Sequence, residues 1–203
     1  MPVLFICFIV FILWFRVKSK QADNATNNPK EEFLRREYEA NFTRKKDISG
    51  LNYLIVPENA LPFTETTDKE ENRLQEEARK IMSGKMLNLS GISNTDLKLE
   101  YGHANLDLLS EYDQNFSNFL RCLDQWGNYL YAKKEDKKCA KQVLEYSVLI
   151  GSDITRTYTT LAAIYLEENE PGKVQPLIDK VEDSNFFMKD SIVLRLKKLV
   201  QEF

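Results

Sequence analysis

The feature that most constrains this chain is an unbroken apolar run, VLFICFIVFILWF, from Val3 to Phe15. Thirteen such residues in a row leave a helix no polar face to turn to water, whereas a helix of a soluble core normally keeps one. A cleavable signal peptide needs a charged region ahead of its apolar run and small residues at the cut. Here the apolar stretch starts at residue 2, and Phe, Leu and Trp continue to its end. Cys7 likewise lacks the small residues that precede a lipid-modified cysteine. Counted from Met1 to Val17, with Arg16 reaching for the headgroups, the helix is about 25 Å long at 1.5 Å per residue. That is the short end of what spans a bilayer. The sequence therefore predicts a single-pass transmembrane anchor over residues 1–17.

Orientation follows from Arg16, Lys18 and Lys20, which trail the run while no Lys or Arg precedes it. The positive-inside rule then places the C-terminal domain in the cytoplasm, with Trp14 and Phe15 at the inner headgroups. The protein is expected in the cell membrane. Cys122 and Cys139 read as unpaired thiols, in keeping with a reducing compartment. Four Asn-x-Ser/Thr triplets begin at Asn24, Asn41, Asn88 and Asn115; chance supplies about two, and they are not read as glycosylation sites. A net charge of −3 offers no basic stripe, so no nucleic acid is expected. One histidine, His103, and three scattered cysteines supply no metal set, no cofactor motif and no catalytic pair.

Residues 18–30 are small and polar and read as a flexible tether. From Lys30 to Lys46 the chain is charged, with Phe33, Leu34, Tyr38 and Phe42 as a thin apolar stripe at helical spacing. Residues 16–46 hold nine basic and five acidic side chains, +4, so the remainder carries −7. This basic stretch can rest on anionic lipid or stand as a solvated helix face. LNYLIV, residues 51–56, is the one convincing extended run, expected as an arm packed on helices. Thr67-Asp68 opens a helix to about Ser83, with Leu74, Ala78, Ile81 and Met82 on one face. A short helix follows, capped by Asn94 or Thr95. Residues 31–104 thus read as an irregular helical region.

From Asn105 the apolar spacing is helical to the end, broken at 133–137, 151–153, 169–172 and 183–185. The whole is predicted to be all-α. Within 105–203 a pattern repeats: Leu123-x2-Trp126-Gly127-x2-Leu130 matches Tyr158-x2-Leu161-Ala162-x2-Tyr165, 35 residues on. Ala140-x3-Leu144 matches Val174-x3-Ile178 at an offset of 34, and Val193-x2-Leu196-Lys197-x2-Val200 is a partial third copy. On these residues the segment 116–203 resembles the tetratricopeptide-repeat (TPR) family of stacked antiparallel helix pairs. The proline expected at the end of each pair is missing, and Val174 stands where a small residue is usual. The order of anchor, tether and helix pairs also looks like small membrane-anchored bacterial proteins.

That resemblance implies a short TPR-like array closed by a C-terminal capping helix, and a groove that holds a peptide or protein partner. Carried onto this chain, the groove-facing positions are Arg121, Asp124, Asn128 and Tyr131 of one pair and Arg156, Thr159 and Ala163 of the next. Arg121, Asn128 and Arg156 suit a peptide backbone or carboxylate. Asp124 stands where a carboxylate clamp wants a base, so the clamp is incomplete. With two pairs only, the helices of residues 68–133 are expected to cover one open end. The expected function is a cytoplasm-facing protein-interaction module, with no small-molecule substrate and no catalysis. The alternatives are an enzyme or enzyme subunit using Asp96, Glu100, Asp107 and Glu111 as acid–base groups, or a structural subunit of a membrane assembly.

Overall fold

The computed structural model describes residues 2–202, apart from the side chains of residues 2–7, 10 and 20–28. The chain is all-α, and no strand occurs among the described residues. It divides into two units, one of Met1–Gly50 with Ile92–Asp107 and one of Leu51–Gly91 with Leu108–Phe203.

The first unit is built on α1 (Pro2–Phe42) and α3 (Asn94–Tyr101). Residues 18–30, expected as a flexible tether, are instead part of α1, which carries Pro29 inside it. A proline deletes one helical hydrogen bond, yet the helix on either side needs no new nucleus, and strong formers such as Glu31, Glu32, Leu34 and Arg35 follow at once. Among the described residues no helix is long and apolar enough to cross a membrane. Of the apolar run, the side chains of residues 3–7 and 10, Cys7 included, lie outside the described ones. The seven described, Phe8, Ile9 and Phe11 to Phe15, are all exposed.

α3 is capped one residue earlier than expected. Ser93 Oγ accepts from the Asp96 N–H, and its own hydroxyl donates to the Asp96 carboxylate at 2.6 Å. Ser, Asn and Thr are all good caps, so SNT alone cannot say which one is used. α3 meets the last turns of α1 through polar ties. Arg36 donates to Asp96 at 2.7 Å, Lys98 to Glu37 and Asn41 at 3.2 Å each, and the Thr95 hydroxyl to Glu37. After α3, Gly102 adopts φ +86°, and a Cβ there would overlap the Arg44 carbonyl. Asn105, wholly buried in a 3-10 turn, donates to the Lys46 and Tyr101 carbonyls at 2.8 and 2.7 Å.

The second unit carries α2 (Lys69–Met82), α4 (Leu106–Lys133) from Leu108 on, α5 (Lys137–Leu149), α6 (Thr155–Glu167), α7 (Val174–Glu182) and α8 (Lys189–Glu202). Asp68 caps α2, accepting from the Glu70 and Glu71 N–H groups, and it also takes the Tyr129 hydroxyl at 2.9 Å. Residues 51–56, expected as an extended arm packed on helices, have no regular secondary structure. Leu54 bonds the Met86 carbonyl through its N–H at 2.9 Å, and Leu54, Val56, Ala60 and Phe63 lie on the core. That core is one apolar cluster running from α2 through α8, with Trp126 fully buried against Phe63 at 5.2 Å between rings. Gly127 lets Leu144 of α5 approach closely: a Cβ there would sit 2.6 Å from Leu144 Cγ. α6 packs on α5, α7 and α8, and α8 also packs on α7. Ile192 and Leu196 form the buried face of α8.

Candidate functional site

The groove-facing set divides in two. Asp124, Asn128, Tyr131, Arg156 and Thr159 fall on a seam between α4 and α6, and much of that seam is already bonded to itself. The Asp124 side chain is nearly buried and accepts Arg156 Nε at 3.0 Å, a second Arg156 nitrogen, Thr157 Oγ1 at 3.1 Å and Asn128 Nδ2 at 3.0 Å. Asn128 Oδ1 in turn takes the Thr160 hydroxyl at 2.7 Å. Tyr131 donates to Glu167 at 2.6 Å, and burial together with that bond pushes its phenol up to about 12. Thr159 donates to the Arg156 carbonyl at 3.2 Å, and Ala163 is half-buried. Asp124, expected as an exposed groove residue that spoils a carboxylate clamp, is therefore a buried anchor for Arg156. The physical reason is its hydrogen-bond count: a buried carboxylate must be paired, and the chain supplies the guanidinium, a hydroxyl and an amide.

Arg121 stands apart from this seam. It lies in an open cleft of about 590 Å³ between α2 and α4. The two walls repeat a helical spacing, Glu77, Lys80 and Gly84 from α2 and the turn after it, Asn118, Arg121 and Gln125 from α4. Residues three and seven apart lie on one face of a helix, which is why these side chains converge. Asn115 extends the α4 wall and donates to the Lys85 carbonyl at 3.2 Å. Glu77 is held by Arg73 at 2.8 Å. Arg121, Lys80 and Gln125 have no side-chain partner among the described residues. Cys122 forms part of the floor, and burial pushes its thiol up to about 12, so it stays neutral and is a poor nucleophile.

Of the acidic residues named for acid–base work, Asp107 and Glu111 lie one turn apart on α4. Asp96 is spent on capping α3 and on Arg36. Asp96, Glu100 and Asp107 lie in the first unit and Glu111 in the second. No group of three or more His, Cys, Asp or Glu among the described residues can hold a metal ion. Sequence reasoning missed the cleft because Lys80 and Gly84 lie outside the repeating segment. One wall was legible as the polar row Asn115, Asn118, Arg121 and Gln125 on one face of α4, but the facing wall on α2 was not.

The described residues thus define an all-helical chain whose second unit carries an open polar cleft. The chain matches no family model, no curated protein and no solved structure.

Proposed function

We propose that the protein is a membrane-anchored, cytoplasm-facing interaction module, with α4–α8 arranged as TPR-like helix pairs and α8 as their cap. The observation that carries this reading is the state of α1. Phe8, Phe11, Leu13, Trp14 and Phe15 are each more than half exposed, and with the exposed Ile9 and Ile12 they surround the helix on every side. Burying such a side chain is worth about 1.5–3 kcal/mol, so lipid is the favoured surrounding for the whole group. A run this short is accommodated by local thinning of the bilayer and by Arg16 snorkelling to the headgroups. Arg16, Lys18 and Lys20 on its C-terminal flank favour the cytoplasm for everything that follows.

Burial register supports the repeat reading. Leu123, Trp126, Gly127 and Leu130 are all buried, and so are their counterparts Tyr158, Leu161, Ala162 and Tyr165. Ala140 and Leu144 are buried, as are Val174 and Ile178. The test is fractionation. The full chain should pellet with membranes and resist alkaline carbonate, and removal of residues 1–17 should release it. A fluorescent-protein fusion at the C-terminus should be bright and an alkaline phosphatase fusion there inactive. A carbonate-soluble chain overturns the anchor, and an active phosphatase overturns the orientation.

A further inference from the structure

We infer that the α2–α4 cleft is a docking site for an acidic peptide segment of a partner protein, gripped in extended form. This rests on the reading of the chain as an interaction module and names the partner's chemistry. Two cations, Lys80 on α2 and Arg121 on α4, face the same cleft from opposite walls, and neither has an ion-pair partner among the described residues. The third charged residue lining the cleft, Glu77, is held at 2.8 Å by Arg73, which also bridges Glu70 at 2.7 Å. The lining thus carries two cations against one carboxylate, and a further carboxylate is its complement.

The amides decide for a peptide over a bare anion. Gln125 is unpartnered among the described residues. Asn118 accepts from Gln114 at 2.9 Å through Oδ1, which leaves its NH2 to the cleft, and Asn115 spends its NH2 on Lys85 and keeps its carbonyl. Side-chain amides both donate and accept, as a peptide backbone does, whereas phosphate only accepts at full charge. The Glu77 carboxylate on the same rim also disfavours a dianion more than a single carboxylate. From Asn115 to Gln125 the α4 wall is about 15 Å long at 1.5 Å per residue. At about 3.3 Å per residue that accommodates four to five residues of extended chain. Arg121 then takes one acidic side chain and Lys80 another, with the amides on the backbone between them.

The experiment uses the full chain in a zwitterionic detergent and the fluorescence anisotropy of labelled hexaglutamate, hexaserine and hexalysine. Hexaglutamate should bind, more weakly as salt is raised, and the other two should not. Arg121→Gln and Lys80→Gln should each weaken hexaglutamate about tenfold, the loss of one charged hydrogen-bonding partner. Lys138→Gln, at an exposed position away from the cleft, should leave it unchanged. Both cleft variants keep their circular dichroism, because neither residue holds an internal bond. Absent hexaglutamate binding at low salt, equal binding of hexaserine, no change in either variant, or displacement by inorganic phosphate at equal concentration overturns the inference. A chain that stays in carbonate-washed membranes but ignores hexaglutamate refutes this inference alone; one that binds hexaglutamate but washes off refutes the anchor alone.

Discussion

The two units are held together by different physics. In the first, Ala40 and Leu97 are the buried apolar side chains among those described, and the α1–α3 contact is otherwise a set of polar ties. Arg36 and Asp96 are both about half exposed, and exposed ion pairs contribute about 0–1 kcal/mol each. The second unit buries a continuous cluster with Trp126, Tyr158, Phe119 and Leu161 at its centre, and its polar bonds sit around that cluster. Net stability is a small difference between large terms, so a unit without a core has little margin. The difference teaches that the chain should lose structure in two steps, α3 from α1 first and the helical stack later.

The sharpest way to break the comparison is in the core. Trp126→Ala removes the largest fully buried side chain and its contact with Phe63, a change that costs about 3–5 kcal/mol. Thermal unfolding followed by far-ultraviolet dichroism should show the second transition fall by many degrees or vanish. The α1–α3 protection pattern in hydrogen exchange should stay as it was. An unshifted transition would mean that Trp126 is not at the centre of the stack. Gly127→Ala tests the same region with one added carbon. Leu144 is fully buried and cannot swing away, so the overpacking should cost about 1–3 kcal/mol, less than the tryptophan but in the same transition.

Gly102→Ala moves the damage to the first unit. Its φ of +86° suits glycine, and a side chain there meets the Arg44 backbone, which is not free to yield like a side-chain tip. Strain of this kind costs about 1–3 kcal/mol. Amides of α3 should lose exchange protection while the melting transition of the second unit does not move. A common loss in both units would merge the two steps into one.

These contrasts also mark what could be read from the sequence. The breaks expected at 133–137, 151–153, 169–172 and 183–185 fall between observed helices, because helices packed on a core announce themselves by apolar spacing. Asp68 was legible as a cap for a similar reason, standing just ahead of a periodic segment. The first unit gave poorer returns. Polar residues around Pro29 look alike in a tether and in a helix, and the choice among Ser93, Asn94 and Thr95 rests on one hydrogen bond. Asp124 shows the limit within the stack itself. Its pairing with Arg156 joins residues 32 apart, and nothing in a helical repeat distinguishes a groove carboxylate from a buried one. The cleft needed α2 beside α4, a placement that no spacing along one helix encodes.

Acid should separate the units without any substitution. The Thr95 hydroxyl and the Lys98 ammonium hold Glu37 below the ordinary carboxylate range. Ser93, and then Arg36, hold Asp96 below it. A depressed folded pKa lends stability that is complete above the unfolded value, about 4, and is lost as pH falls through the lower folded values. Asp68 in the second unit is held down too, by the Glu71 N–H and the Tyr129 hydroxyl, but there the core remains when the charge is gone. Exchange protection of α3 should therefore fall on titration below pH 4 while α4–α6 stay protected. Simultaneous loss in both units would show that the polar ties carry no more of the first unit than of the second.

The smallest effect tests the end of the stack. On the proposed repeat register Lys197 of α8 occupies the place of Gly127 and Ala162, which are both buried under neighbouring helices. Lys197 is instead about half exposed and pairs with Glu182 at 2.9 Å, itself about half exposed. Beneath it Ile192 and Leu196 are fully buried, so α8 turns these two inward, while Lys197 shares the outer surface with the exposed Leu194 and Val200. A further helix packed at that point would strip the ammonium of water, a cost that one exposed ion pair does not offset. Lys197→Ala should therefore change stability by no more than about 1 kcal/mol, the ceiling for an exposed pair. Its melting curve should overlay the parent's in high salt, where the pair is screened. The variant also removes the charge that keeps another helix off this face, so sedimentation velocity should be run on both proteins in detergent. New dimers in Lys197→Ala alone would show that the lysine guards an apolar end. A loss of several kcal/mol would show that it is packed rather than exposed, and that α8 is not the cap.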